Sequence, residues 1–270
     1  GVDSLPCLPK TAWPPTSEEP NGQLLDLAAE LGFRLSMAGA EVDRVEESMQ
    51  RFLRAYGVES GEVFAITNCV MVSLTDEAGR SSTRIRQVPA HGTDLTRLMA
   101  YNALSREVAS TAPALEEVQR QMEELAGLPK GYPVPVQILG SAVGAGAYAL
   151  FFGGSLWDAV AAGLCGAVVG LCNLALDYLE TNQFIRTIVG GAVSALCALL
   201  LVGLGVGKSL DAVITGALML LVPGLIFTNA MRNILTGNLI SGPNLVLQAL
   251  LIATAIALGT GFVLSLAGSV

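Results

Sequence analysis

Histidine occurs once in these 270 residues, as His91 in a Pro-Ala-His-Gly-Thr turn. A single loop histidine cannot build a histidine-centred catalytic pair or a zinc set. The chain also lacks a Walker loop, an H-E-x-x-H helix and a G-x-S-x-G elbow. Ser73 and Ser105 have no evident base, so an enzyme is the last reading to consider. Cys7, Cys69, Cys165, Cys172 and Cys197 form no C-x-x-C pair, which argues against a disulfide framework and a zinc site. Three of them fall in apolar runs, where cysteine behaves as a small hydrophobe. No cofactor or metal is expected. The net charge of −8, with no basic stripe to offset it, argues against a nucleic-acid partner. Residues 1–20 lack the apolar h-region of a secretory signal. They carry Pro6, Pro9, Pro14, Pro15 and Pro20, which suits a disordered or extended leader.

Charge itself becomes scarce halfway along. Positions 1–130 hold 12 Lys/Arg and 19 Asp/Glu, whereas 131–270 hold only Arg186, Lys208, Arg232, Asp158, Asp177, Glu180 and Asp211. Uncharged runs cover 131–157, 159–176, 187–207, 212–231 and 233–270, against about 20 apolar residues needed to cross a bilayer. The short second run could be a buried core helix of a soluble protein, but five such runs in succession favour five spanning helices in contact with membrane lipid. The expected architecture is an α+β soluble N-terminal domain over 21–128, then an α-helical transmembrane domain of five spans over 129–270.

Within the first part, Leu24, Leu27, Ala28, Leu31, Leu35 and Ala38 recur at helical spacing, with Gly39 as a stop. Val42, Val45, Met49, Phe52 and Leu53 mark a second amphipathic helix that ends at Gly57. The period then shortens to two: Val70, Val72 and Leu74 alternate with Cys69, Met71 and Ser73, and 77–80 supply a turn before 82–88. With 62–67 ahead of them these make a three-strand meander. Helices over 93–110 and 113–126 complete the order ααβββαα. On the first of these, Asn102 and Arg106 share a face with Leu95, Leu98 and Met99. They either contact a ligand or the membrane domain, or lie on a rim with Arg106 reaching water along its stem, which is the favoured reading.

The sequence 130–135, Lys-Gly-Tyr-Pro-Val-Pro, combines a cation, an interfacial aromatic and prolines at the membrane entry. With the first domain inside the cell, Lys130, Arg186 and Arg232 fall on the inner side and Lys208 alone on the outer. That asymmetry predicts a cytoplasmic N-terminal domain in the cell membrane. Gly140-x-x-x-Gly144 and Gly166-x-x-x-Gly170 put small residues on one helix face for close packing. Such faces suit the bundle itself, self-association, or assembly with another membrane chain.

The polar, Gly/Pro-broken passage 222–244 is the candidate for function. Pro223-Gly224 interrupts the fourth run, because proline cannot donate its backbone bond and glycine permits close approach. Asn229, Arg232 and Asn233 follow at helical spacing and can share one side, and the forked Arg232 guanidinium suits a carboxylate. Pro223, Gly224, Asn229, Arg232 and Asn233 are thus candidate solute-binding residues in the membrane. From spacing alone the competing reading stands level: 229–244 is a cytoplasmic loop and Arg232 a positive-inside anchor. Asp158, Asp177, Glu180 and Asp211 flank the spans, either as proton relays or, the favoured reading, as solvated caps, Asp158 and Asp211 fitting helix starts.

The residues so assembled resemble the threonine/serine exporter family, and in particular the large subunit of its split, two-component form. Gly39-Ala40-Glu41-Val42-Asp43-Arg44-Val45-Glu46, with Thr83-Arg84 and Asn102-x-x-Ser105-Arg106, is similar to the family's soluble domain. Pro223-Gly224-x-x-x-x-Asn229-x-x-Arg232-Asn233, with Gly237, Ser241 and Gly242, is similar to its membrane signature. The resemblance covers about residues 21–268. It implies secondary export of a small solute, threonine or serine, or a small dicarboxylate such as succinate. It also implies a smaller all-membrane partner subunit. The family pattern often carries aspartates where this chain has Asn233 and Asn238, and an amide cannot relay a proton near neutral pH. The competing class is a membrane-anchored sensor or scaffold, for which five spans would be excessive.

Overall fold

The structure is a computed structural model that describes residues 20–268 except 76–78, 90–92, 129–130 and 180. The leader, His91, Lys130 and Glu180 lie outside the described residues. The chain divides into two units between Gly131 and Tyr132.

In the first unit, α1 (Pro20–Met37) and α2 (Val42–Ala55) precede an antiparallel sheet of order β1-β2-β3, formed by β1 (Glu62–Ile66), β2 (Cys69–Thr75) and β3 (Ser81–Gln87). Helices α3 (Leu95–Thr111) and α4 (Leu115–Ala126) follow. Gly39 and Gly57 adopt φ of 86° and 78° just past α1 and α2, a backbone state open to glycine but costly for other residues. The two-residue period of β2 buries Val70, Val72 and Leu74 under the helices, with Leu31, Leu35, Met49 and Phe52 among the side chains that cover them.

The same period explains a cluster of charges. Arg84 and Arg86 pair across the ladder with Val72 and Val70, so they share the covered face of the sheet. Asp26 and Glu30, one turn apart on α1, receive them: Arg84 Nε donates to Asp26 at 2.5 Å and Arg86 to Glu30 at 2.7 Å. Arg34 adds a bond to Glu30 at 2.6 Å and reaches the Tyr101 hydroxyl and the Met122 carbonyl. Inward charges on an edge strand also discourage pairing with another chain. Asp26 is 4 % exposed, and removing one partner of a covered ion pair strands the other. Asp26→Ala is therefore expected to cost about 2 kcal/mol, read as a lowered melting temperature of the purified chain.

On helix α3 the rim reading of Arg106 agrees with the structure, although the covered side is not the Leu95–Met99 one. Tyr101, Leu104, Ser105 and Val108 are buried, while Leu95 and Met99 are 60 % and 65 % exposed. Asn102 and Arg106 therefore lie toward the open side, and Arg106 is exposed.

The second unit contains α5 (Val134–Phe151), α6 (Leu156–Tyr178), α7 (Gln183–Gly203), α8 (Leu210–Leu218), α9 (Gly224–Leu235) and α10 (Ser241–Ala267). Its interior is made of small side chains, Ala145, Ala149, Ala161, Ala162, Cys165 and Ala198 among them. Leu139, Val143, Leu164, Leu196, Leu250 and Phe262 face outward, as a lipid solvent requires. Helices α5 and α6 approach closely enough that a Cβ on Gly166 would stand 2.5 Å from the Ser141 carbonyl oxygen. That glycine motif therefore packs inside the bundle, whereas a Cβ on Gly140 would meet nothing within 4 Å.

Among the described residues four helices, α5, α6, α7 and α10, are long and apolar enough to cross a membrane. Five spans are expected from the sequence, the fourth of them kinked or broken at Pro223-Gly224, and four long apolar helices are what the described residues show. The 212–231 run is divided between α8 and α9, of 9 and 12 residues, or about 14 and 18 Å at a rise of roughly 1.5 Å per residue. Neither reaches across a hydrocarbon core of about 30 Å alone.

Candidate functional site

Helix α8 ends five residues before Pro223. Its last turn tightens through Leu220 N to Ala217 O at 3.3 Å and Leu221 N to Leu218 O at 2.8 Å. The chain then turns on a Gly224 N to Val222 O contact of 2.9 Å, and α9 begins with Phe227 N bonding to Pro223 O at 3.0 Å. Among the described residues the carbonyls of Met219, Leu220 and Leu221 meet no backbone donor, and the amides of Leu225 and Ile226 meet no backbone acceptor. Pro223, the residue before α9, provides no side-chain cap. Two helix ends with opposite partial charges therefore face a break of five residues.

Two side chains of the break pack against neighbouring helices. Leu220 lies where a Cβ on Gly144 of α5 would meet it at 3.4 Å, and Leu221 where one on Gly190 of α7 would meet it at 3.1 Å. At the far end of α8 the Asp158 carboxylate forms a clamp. Its Oδ1 accepts from the Lys208 and Ser209 amides at 2.6 and 2.8 Å, and its Oδ2 from the Ser155 amide and hydroxyl at 2.8 and 2.7 Å. Asp158 is 2 % exposed. It caps α6, as expected, but it is buried rather than solvated, because the α7–α8 connection closes over it. Asp211 takes the expected place in the first turn of α8.

Along α9 the candidate residues separate. Pro223 and Gly224 form the break. Asn229 is half-buried, and Arg232 is exposed on the next turn and has polar contacts of its own. Asn233 is 2 % exposed, and its Oδ1 has no hydrogen-bond partner among the described residues. Gly224 and Arg232 are eight residues apart, about 12 Å along a helix. The contact of α9 with α10 is close: a Cβ on Gly242 would stand 3.1 Å from Ile234 N.

The loop expected across 229–244 shrinks to residues 236–240. Asn238 works there as a turn residue, donating its amide to Asn233 O at 2.8 Å and accepting from Ser241 N at 3.2 Å. The structure also adds a residue the sequence reading passed over. Asn173 of α6 has a buried Oδ1 with no partner among the described residues. The available signal was an amide within the uncharged 159–176 run, since polar groups in lipid are costly unless satisfied.

Membrane-length helices packed with a helix that is broken at a proline, leaving backbone groups open at the break, are features of helical membrane transporters. The chain belongs to the threonine/serine exporter family, whose model, "Putative threonine/serine exporter", matches residues 26–267. Among curated proteins it is 24 % identical over 238 residues to a "Probable threonine/serine exporter" of Mycobacterium tuberculosis, covering 88 % of this chain and 45 % of that protein. It is 22 % identical over 244 residues to a "Threonine/serine exporter" of Corynebacterium glutamicum, covering 88 % and 50 %. The chain thus spans about half the length of the curated relatives it matches. No solved structure matches. The family is one of membrane exporters, not enzymes, and the matched names give threonine and serine rather than a dicarboxylate.

Proposed function

We propose that this chain is the large subunit of a two-component secondary exporter of threonine and serine, working with a smaller all-membrane partner. The observation that carries this reading is the α8–α9 break, which lies inside the family-matched region. Helices α8 and α9 together act as a fifth, discontinuous crossing: residues 210–235 cover about 39 Å at helical rise. The solute sits at the break, where Pro223 keeps the backbone open and Gly224 lets it approach. Asn229 and Arg232, a turn or two farther along α9, form the next station for the carboxylate, and Asn233 holds α9 against α10. Alternating access follows from rocking of α8 and α9 around the break. The N-terminal domain lies in the cytoplasm, the side favoured by Lys130, Arg186 and Arg232.

Reconstitution with and without the small partner, with labelled threonine, serine and succinate inside the vesicles, tests this reading. Threonine and serine are expected to leave only when both subunits are present. Arg232→Ala should insert normally and slow export about tenfold, the effect of losing one charge-assisted contact. Full-rate export by that variant would remove Arg232 from the path. Succinate leaving as fast as threonine would overturn the amino-acid assignment.

A further inference from the structure

We infer that the first turns of α3 form a contact surface for the lipid bilayer, with Leu95 and Met99 entering the interface close to where the chain goes into the membrane. The inference uses the membrane character of the second unit and not the transport reading. It begins with what α3 leaves uncovered. Leu95 and Met99 stand one turn apart and are both mostly exposed, whereas Tyr101, Leu104, Ser105 and Val108 take the core side. Helical spacing carries the same stripe on through Asn102 to Arg106, so it runs from two long apolar side chains to an amide and then to an exposed cation. Apolar first and cation last is the order of surroundings met on leaving a membrane.

The apolar end of the stripe is also the tethered end. Arg97, between the two apolar residues, donates from Nη2 to the Leu128 carbonyl at 2.6 Å and to the Ala126 carbonyl at 3.3 Å, which fixes the close of α4 to the first turn of α3. Asp94 holds that turn as well: its side chain accepts from the Arg97 amide at 3.1 Å, and its own amide donates to the Ala38 carbonyl at 3.1 Å. From Leu128 six residues lead to Val134, where the membrane-length α5 begins, and six residues span at most about 20 Å. Leu95 and Met99 therefore stay near the bilayer by chain length alone, while Thr111 lies about 24 Å farther along α3 at helical rise. The attraction is apolar rather than electrostatic. Positions 1–130 carry 19 Asp/Glu against 12 Lys/Arg, so an anionic headgroup gains little from this unit, and removal of the leucine and methionine side chains from water is what the lipid supplies. The contact gives the first unit a second attachment to the membrane besides its chain connection.

The test uses the full chain in phosphatidylcholine liposomes, with the photo-crosslinking residue p-benzoylphenylalanine replacing Leu95, Met99, Ile85 or Ser110, one at a time. Ile85, as exposed as Leu95, and Ser110, near the far end of α3, are the controls. After irradiation, intact mass counts the lipid adducts. Adducts at the two test positions are expected to exceed those at either control about fivefold, the partition gain of little more than one buried methylene. Exchanging part of the phosphatidylcholine for phosphatidylglycerol should change the yield less than about twofold. Met99→Glu should lower the adduct formed at position 95 about fivefold, because a carboxylate resists entry into lipid. Yields at 95 and 99 no higher than at the controls overturn the contact, and so do crosslinks from these positions to a second copy or to another part of the chain in place of lipid. A yield that climbs steeply with phosphatidylglycerol, or that Met99→Glu leaves unchanged, overturns the apolar mode of contact. The two test positions report independently, so if one substituted chain does not fold the other still decides.

Discussion

Asp158→Ala is expected to destabilise the membrane unit by about 3 kcal/mol, lowering its melting temperature by on the order of 10 °C. The effect follows from counting donors. The Ser155, Lys208 and Ser209 amides and the Ser155 hydroxyl all point at this carboxylate, and alanine leaves them without their acceptor where lipid and protein limit access of water. Two connections then loosen together, since one oxygen closes the start of α6 and the other fixes the α7–α8 turn. Asp158→Asn keeps one accepting oxygen and sets an NH₂ against the remaining amide donors, so it should fall between the two. Thermal unfolding of the detergent-purified chain, followed by size-exclusion fluorescence, reads all three. An asparagine variant as stable as wild type would show that the clamp is not a charge-assisted one.

That clamp marks a limit of sequence reasoning. Asp158 was recognisable as a helix cap from its place at a run boundary, but two of its donors come from residues 208 and 209, and no local pattern announces a partner fifty positions away. The meander, by contrast, was legible, because Val70, Val72 and Leu74 alternate cleanly and Gly39 and Gly57 stop their helices. What the same alternation did not disclose is that Arg84 and Arg86 share the covered face with them; Asp26 and Glu30 on α1 make that possible. Helix α3 misled for another reason. Its apolar residues are spread around the cylinder, so the period did not choose between the Leu95–Met99 side and the Tyr101–Leu104–Val108 side that the core takes.

The break was the best-read feature of the candidate site and also the least complete. Pro223 and Gly224 locate it, since one lacks a donor and the other lacks a side chain. Nothing at Leu218 signals that α8 stops five residues earlier, through a tightened last turn. The grouping of Asn229, Arg232 and Asn233 on one side was right as helical geometry, yet packing divides it: Asn233 is covered, and Arg232 is exposed. Asn173 was legible as a lone amide in an apolar run, but only the fold brings it to Gly190 beside Leu221.

Pro223→Ala with Gly224→Ala is expected to abolish most export while leaving the protein at least as stable. A helix-interior proline costs about 3 kcal/mol relative to alanine and a glycine about 1, so the double variant favours one continuous helix through 210–235. Closing the break returns the Met219, Leu220 and Leu221 carbonyls to helical amides and removes them from any solute. Losing two such contacts to a charged group, at roughly 1.5 kcal/mol each, slows export about a hundredfold. Gly224→Ala alone separates folding from function. A Cβ on Gly224 meets nothing within 4 Å, so the empty protein accommodates it, and a threonine brought against that backbone does not. Its stability should match wild type, while export falls about tenfold, the effect of displacing the solute from one good contact. Measured in the same vesicles, a stable double variant that still exports threonine at the wild-type rate would show that transport does not pass through the break.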